Sequence, residues 1–374
     1  MKKSAKLSLT LALMMGITGG VQLMDTNTAS AEISDKFRLE LNGVTSYFHD
    51  DGGNYYGEQT RVDNTKTGKG WNNYTRVMMT YYIDKDTRAV ARLHSDYDNA
   101  GDFVANKNQY SGKKSGAYFD QSYLQWNDKK NDLHYIIGKK GMTLGQSMVY
   151  NSTGNLTGAQ ISWGNWYDDR CLQLTYGDAK GGNRVWSAQL TGKTSKATAL
   201  NATYLRGEIP YQKGTNWIRE TDSFVDFGGK VKFHGVTMVG EWAKQLDSQP
   251  QTGSINNKDW KAANRGWFVE FFTGPTNDFG SGLPLQKVGT HVFSVRYQDL
   301  GERGSYVHNN TFYNDKKGIR FDYGVVVKKG LSVDFVYGRM KDKGTSYERR
   351  NSYYSSKKGD WSNIYVLALN YKFR

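Results

Sequence analysis

Catalysis needs side chains that can hold a proton or attack a carbonyl, and this chain offers six histidines and one cysteine for that work. His49, His94, His134, His234, His291 and His308 are scattered; none belongs to a nucleophile elbow, and none has the spacing of a helix-borne metal pair. Cys171 stands alone and makes no internal disulfide. Carboxylates are many but unpatterned. The expectation is a protein that is not an enzyme, with no metal and no cofactor. The side chains that do form a pattern are cations. Arg38, Arg76, Arg88, Arg92, Lys139, Lys230, Lys232, Arg296 and Arg320 recur where polar and apolar residues alternate. Their chemistry would be electrostatic, because fixed charges beside confined water sort solutes by sign.

What positions them is extended chain. In residues 318–340, Ile319, Phe321, Tyr323, Val325 and Val327 alternate with Arg320, Asp322, Gly324, Val326 and Lys328. After "KKG", Leu331, Val333, Phe335 and Tyr337 alternate with Ser332, Asp334, Val336 and Gly338. A period of two means strand, with successive side chains on opposite faces. The pattern predicts about sixteen strands. They fall at 36–48, 72–83, 87–97, 117–126, 132–139, 159–166, 170–177, 184–191, 196–206, 222–233, 236–245, 265–273, 288–298, 318–328, 331–341 and 361–374. Alternation is poor in 117–126 and 159–166, where no face can be assigned.

The gaps alternate in length. "DKD" (84–86), "NDKKN" (127–131), "YDD" (167–169), "TGKT" (191–194), "HG" (234–235) and "KKG" (328–330) are tight. Residues 49–71, 98–116, 140–158, 207–221, 246–264, 299–317 and 342–360 are long and polar. Short turns at one end and long loops at the other are the habit of a membrane barrel, whose apolar rows face lipid and whose polar rows face a lumen. Two gaps break the alternation: 178–183 is short, and "GPTNDFGSGLPLQ" (274–286) is long.

Composition fits that reading. The 374 residues carry a net charge of +14, with 26 Tyr and 10 Trp against 16 Phe. A mean hydropathy of −0.71 suggests a water-soluble protein, but strands that are apolar only at every second position keep the average low. Lys2, Lys3 and Lys6, the apolar run from Leu7 to Ile17, and Ala29-Ser30-Ala31 form a secretory signal over 1–31. The barrel would then occupy 32–374. The positive charge is spread along alternating rows without a basic block, so no nucleic-acid partner is expected. Outer-membrane lipid and lipopolysaccharide are the expected neighbours.

Two stretches carry a family resemblance. "FDQSYLQWNDKKNDLHYIIGKKGMTLGQ" (119–146) and the terminal "IYVLALNYKFR" resemble segments of the sixteen-stranded general diffusion porins of bacterial outer membranes, without a surface-layer homology module. The resemblance implies a transmembrane, antiparallel, up-and-down all-β barrel with short periplasmic turns and long extracellular loops. It also implies that the third long loop folds into the lumen, so that Gly141, Gln146, Tyr150, Asn151 and Asn155 belong to a constriction. The last strand, with Tyr365, Leu367, Leu369, Tyr371 and Phe373, would be read by the insertion machinery, and the assembly would be a homotrimer. Family members end on the aromatic itself; here Arg374 follows.

The implied activity is passive diffusion of small hydrophilic solutes. Residues 141–167 contain no Asp, Glu, Lys or Arg, where the family brings carboxylates to face a basic wall. An uncharged loop facing cations suggests a weak preference for anions, with Lys139, Arg76, Arg88 and Arg92 nearest the loop. The alternatives are a channel specific for an oligosaccharide or an anion, and a barrel hydrolase. Trp163, Trp166, Trp217, Trp242, Trp260 and Trp267 could stack on sugars in a specific channel, although Trp at strand ends more often forms an interfacial belt.

Overall fold

A computed structural model describes residues 35–50, 68–98, 115–164, 170–179, 183–213, 216–246, 263–301, 304, 315–343 and 359–373. The expected signal, 1–31, and His308, Trp166 and Trp260 lie outside the described residues. The strands are β1 (Phe37–Asp50), β2 (Gly68–Tyr82), β3 (Thr87–Asp98), β4 (Ser115–Asp128), β5 (Leu133–Leu144), β6 (Tyr150–Gly164), β7 (Arg170–Ala179) and β8 (Asn183–Lys193). Then come β9 (Thr198–Lys213), β10 (Asn216–Phe233), β11 (Val236–Gln245), β12 (Arg265–Thr273), β13 (His291–Leu300), β14 (Lys316–Lys328), β15 (Leu331–Asp342) and β16 (Trp361–Phe373). Each pairs antiparallel with its chain neighbours, and β1 pairs β16, so the sheet is a closed barrel. Closure leaves no strand edge unpaired, which is the condition for crossing a hydrocarbon layer with strands.

Consecutive residues of β16 show which face is which. Leu367 is 55% exposed and Leu369 41%, whereas Ala368 is 8% and Asn370 2% exposed. The same inversion recurs around the barrel. Phe227, Phe271, Phe293, Tyr323 and Phe335 stand exposed outside, while Asp226, Glu270, Ser294, Asp322 and Asp334 are buried inside. An exterior of Leu and Phe with an interior of carboxylates and hydroxyls is the reverse of a water-soluble sandwich. Outward Trp71, Trp186, Trp242, Trp267 and Trp361 sit near the ends that carry the long connections, and exposed Trp163, Phe233 and Phe373 near the tight turns. Aromatic rings prefer the two interfaces of a bilayer, and their two levels mark its faces.

The sequence-based reading needs correction in three places, and a fourth feature finds its cause. The 140–158 gap is mostly strand, because β5 runs to Leu144 and β6 begins at Tyr150. The 207–221 gap is also strand, since β9 continues to Lys213 and β10 begins at Asn216. The turn expected at 191–194 lies between Lys193 and Thr198. Poor alternation in β4 has a specific cause. Arg92 pairs with Gln121 but Leu93 with Phe119, so Asp120 is an extra residue, a bulge that shifts the facing pattern of β4.

Among the described residues, one ion pair inside the barrel is wholly buried. Lys316 Nζ lies 3.9 Å from Asp342, both side chains being 0% exposed, and donates to Ser362 Oγ at 3.3 Å. Removing one partner strands the other charge away from water. Lys316→Met is therefore expected to cost about 3–5 kcal/mol, and a Lys316→Met/Asp342→Leu double variant much less. Urea midpoints of the detergent-refolded chains measure both.

Candidate functional site: the lumen and its constriction

The turn between β5 and β6 folds inward and seats on the far wall. Leu144, Met148, Val149 and Tyr150 are all 0% exposed and pack with Val185, Leu205, Phe224, Val239, Phe268 and Leu300 from β8 to β13. Hydrogen bonds fix the tip. Gly145 N–H donates to Gln189 Oε1 at 2.6 Å, Met148 N–H to Glu241 Oε2 at 2.9 Å, and Gln146 Nε2 to Asn201 Oδ1 at 2.6 Å. Asn201 Nδ2 in turn donates to Asp226 Oδ1 at 2.9 Å. Gly145 is required here, because its φ is +59° and a Cβ would lie 2.0 Å from Glu241 Oε1. The apolar spacing of Leu144, Met148, Val149 and Tyr150 therefore serves the lumen side rather than lipid.

A second segment enters from the other end. Residues 274–290, long where a tight turn was due, hold a short 3-10 helix at Leu283–Leu285. Leu283 is buried against Val292 and Val326, with Phe279 beside it. Gly324 admits them, since a Cβ there would meet Leu283 Cδ2 at 2.5 Å and Phe279 Cδ1 at 2.7 Å. Asn277 Nδ2 donates to Glu270 Oε1 at 3.4 Å, and a Cβ at Gly280 would lie 3.9 Å from Asn370 Oδ1 and 4.0 Å from the Tyr74 hydroxyl. The hairpin and this insert together cover the inner wall from β8 round to β16. Neither apolar cluster includes a residue of β2–β4.

The wall of β2–β5 is basic. Arg76, Arg88, Arg92 and Lys140 occupy inward positions there, with His94 between them. Asp120, delivered inward by the bulge, is the shared counter-ion. Arg92 donates to its two oxygens at 2.8 and 2.6 Å, His94 Nδ1 lies 3.0 Å away and Arg76 Nε 4.0 Å away. Arg88 turns to a neutral partner, Gln125 Oε1, at 2.8 and 3.3 Å. Arg38 and Arg88 line a recess of about 130 Å³ with Glu40, Met78, Thr80 and Tyr82. Aromatic faces accompany the charges, for Tyr74, His94 and Tyr118 form a row with centroid spacings of 5.7 and 5.3 Å. The Arg76 guanidinium sits 4.3 Å from the Tyr74 ring centre.

The structure sorts the expected cations into four groups. Arg38, Arg76, Arg88 and Arg92 share one wall. Arg296 and Arg320 are also inside, but they are paired, with Glu270 at 2.6 Å and Asp322 at 2.5 Å. Lys230 and Lys232 are exposed beside the tight turn at 234–235, away from the hairpin. Lys139 is a correction. It pairs with Ser122 and Thr157 on the outward row, two residues from exposed Ile137. Its Nζ donates to the Phe119 carbonyl at 3.1 Å, beside the bulge. The lumen-side cation is its neighbour Lys140, over the Tyr123 ring at 5.9 Å.

Of the hairpin residues, Gln146 and Tyr150 sit at the docked tip, and Asn151 accepts from Thr143 Oγ1 at 3.3 Å. Gly141 falls at an irregularity between Lys140 and Met142. Asn155 lies in β6, with its side chain outside the described residues. Tyr365, Leu367, Leu369, Tyr371 and Phe373 form the outward row of the closing strand. Trp163, Trp242 and Trp267 are exposed on the exterior, so they form no sugar track in the lumen; the Trp217 side chain lies outside the described residues. Asp120 was missed because the bulge breaks the period of two. The tip-binding Gln189 and Asn201 were missed because uncharged polar residues on an inner wall carry no signal of their partner.

No family model matches the chain, and no curated protein matches it. Solved structures do. Pseudomonas putida OprB, in a high-pH structure, superposes with a TM-score of 0.59 at 10% identity, covering 92% of this chain and 96% of that one. Salmonella typhi OmpF, in complex with daunomycin, gives 0.54 at 12% identity over 91% and 99%. A triple mutant of the Rhodopseudomonas blastica porin gives 0.50 at 10% identity over 90% and 100%. At such identities the likeness is one of fold, and by fold the chain is a sixteen-stranded barrel of the kind that bacterial outer-membrane porins build.

Proposed function

We propose that the barrel sits in the bacterial outer membrane as a water-filled channel through which small hydrophilic solutes diffuse passively, with a weak preference for anions. The observation that carries this reading is the asymmetry of the lumen. Arg76, Arg88 and Arg92 line the wall of β2 and β3, with Asp120 the carboxylate beside Arg76 and Arg92 and neutral Gln125 the partner of Arg88, while the hairpin tip is uncharged. A low-dielectric wall focuses such a field on the passage. Liposomes loaded with the chain should swell with small sugars and cease to swell as sugar size increases. Across a salt gradient the reversal potential should take the sign of anion flux; a clear cation potential would defeat the anion claim.

No reaction and no cofactor form part of this reading. A homotrimer is proposed as the assembly. Its support is Lys139, because an ammonium on the outward row costs about 2–4 kcal/mol against mid-bilayer lipid, a cost that contact with a second copy removes. A second reading, a solute-specific channel, draws on the Tyr74–His94–Tyr118 row beside Arg76, which offers ring faces and a guanidinium to a sugar or an organic anion. Saturable block of single-channel current by an oligosaccharide favours it over the general channel.

A further inference from the structure

We infer that the insert at 274–290 brings a carboxylate up to the basic wall, and that Asp278 and Arg76, at the two sides of Tyr74, form a binding site for zwitterionic short peptides. The inference rests on the solute-specific reading above and names its solute class. Asp278 is held firmly at the turn of the insert. Its carbonyl accepts from the backbone N–H groups of Gly282 and Leu283 at 3.1 and 2.8 Å. Its carboxylate accepts from the Ser281 N–H at 2.9 Å and from the Ser281 hydroxyl. The side chain is exposed nonetheless, and among the described residues it makes no ion pair. A Cβ at Gly280 would lie 4.0 Å from Asp278 Oδ1 and 4.0 Å from the Tyr74 hydroxyl, so carboxylate and phenol flank one point.

The other side of Tyr74 is cationic, with the Arg76 guanidinium 4.3 Å from the ring centre. Arg76 Nε is buried without a hydrogen-bond partner, and Asp120 stands off at 4.0 Å. His94, paired with Arg76 in the strand register and 8% exposed, also leaves its Nε2 unpartnered. Tyr118, next in that row, is 47% exposed. An anion gains at Arg76 and is repelled by Asp278, and a cation meets the reverse. A solute that carries both signs gains at both. The phenol separates the two charges, so the solute must span more than a ring; a dipeptide, at roughly 3.5 Å per residue, does so. Its carboxylate would take the unsatisfied donors of Arg76 and His94 by charge-assisted hydrogen bonds, and its ammonium the Asp278 oxygens.

The test is block of single-channel current by dialanine, N-acetyl-dialanine and dialanine amide, which carry both charges, the negative one alone and the positive one alone. Dialanine should block at the lowest concentration. Asp278→Asn should raise its half-blocking concentration about fivefold, as the loss of one solvent-exposed ion pair allows, and should not weaken block by N-acetyl-dialanine. Ser281→Ala removes a hydroxyl from the same turn but keeps the carboxylate, so it should keep the preference for dialanine. Equal block by the three peptides in the wild type overturns the site. A loss in Ser281→Ala as large as in Asp278→Asn also overturns it, because the shape of the insert and not its charge would then be at work. Saturation-transfer NMR on the full chain in detergent micelles reads the same ranking without any current. An absence of current therefore counts against the channel, and an absence of ranking against this site.

Discussion

Replacing residues 142–152 by an Asn-Gly turn is expected to raise single-channel conductance severalfold and to broaden the size range of permeant sugars. Asn-Gly suits a two-residue hairpin turn, so β5 and β6 can still close on each other. The excised residues include Leu144, Met148, Val149 and Tyr150, which fill the space against β8–β13. Without them the inner wall regains water. The barrel hydrogen bonds remain, but the chain loses an apolar cluster in which each large-to-small truncation costs about 2–5 kcal/mol. The midpoint of urea unfolding should fall accordingly. A single substitution approaches the same end more gently. Gly145→Val forces a β-branched residue into φ +59° and into the Glu241 carboxylate, and should turn a steady current into one that fluctuates between two levels. If both variants conduct like the wild type, the hairpin is not the constriction.

The second large effect is on selectivity. Arg76→Gln/Arg88→Gln/Arg92→Gln removes three positive charges from the wall of β2 and β3, and the reversal potential should move toward cations. The shift should grow on dilution, because the screening length rises from about 10 Å at 0.1 M salt to about 30 Å at 0.01 M. Asp120→Asn should move the potential the other way, since the carboxylate it removes lies within 4.0 Å of Arg76 and also contacts Arg92 and His94. Arg296→Gln should do little by comparison, because Arg296 lies on β13 and pairs with Glu270, which the insert residue Asn277 contacts, away from the β2–β5 wall. A triple variant as anion-selective as the wild type would show that the β2–β5 wall does not govern the current.

Much of the architecture was legible because a barrel strand is written at a period of two. The rows of β14, β15 and β16 read directly as inside and outside, and so did the tight turns at 84–86 and 234–235. Legibility failed where the period failed. At β4 the extra residue Asp120 shifts the facing pattern, which hid the principal counter-ion of the basic wall. At β5, outward Ile137 puts Lys139 outside, two residues on, and Lys140 in the lumen, whereas the sequence reading set Lys139 among the pore-lining cations. The length of 274–286 announced an anomaly, yet nothing in the residues themselves said that Leu283 and Phe279 would turn into the barrel onto Gly324. Tertiary docking of a connection depends on a shape complement from distant strands, and a local pattern does not encode it.

Leu367 and Ala368 are neighbours on β16, 55% and 8% exposed, and they should meet opposite surroundings. In a Cys171→Ser background, Leu367→Cys and Ala368→Cys can each carry a bimane fluorophore in bilayers whose acyl chains are brominated at mid-depth. The fluorophore at 367 should be quenched by the lipid and ignored by aqueous iodide; at 368, on the inner row packed beside Val336 and Val366, it should escape the bromine. The reverse pattern, or iodide access at both positions, would mean that the apolar row faces water and that the barrel encloses no aqueous path.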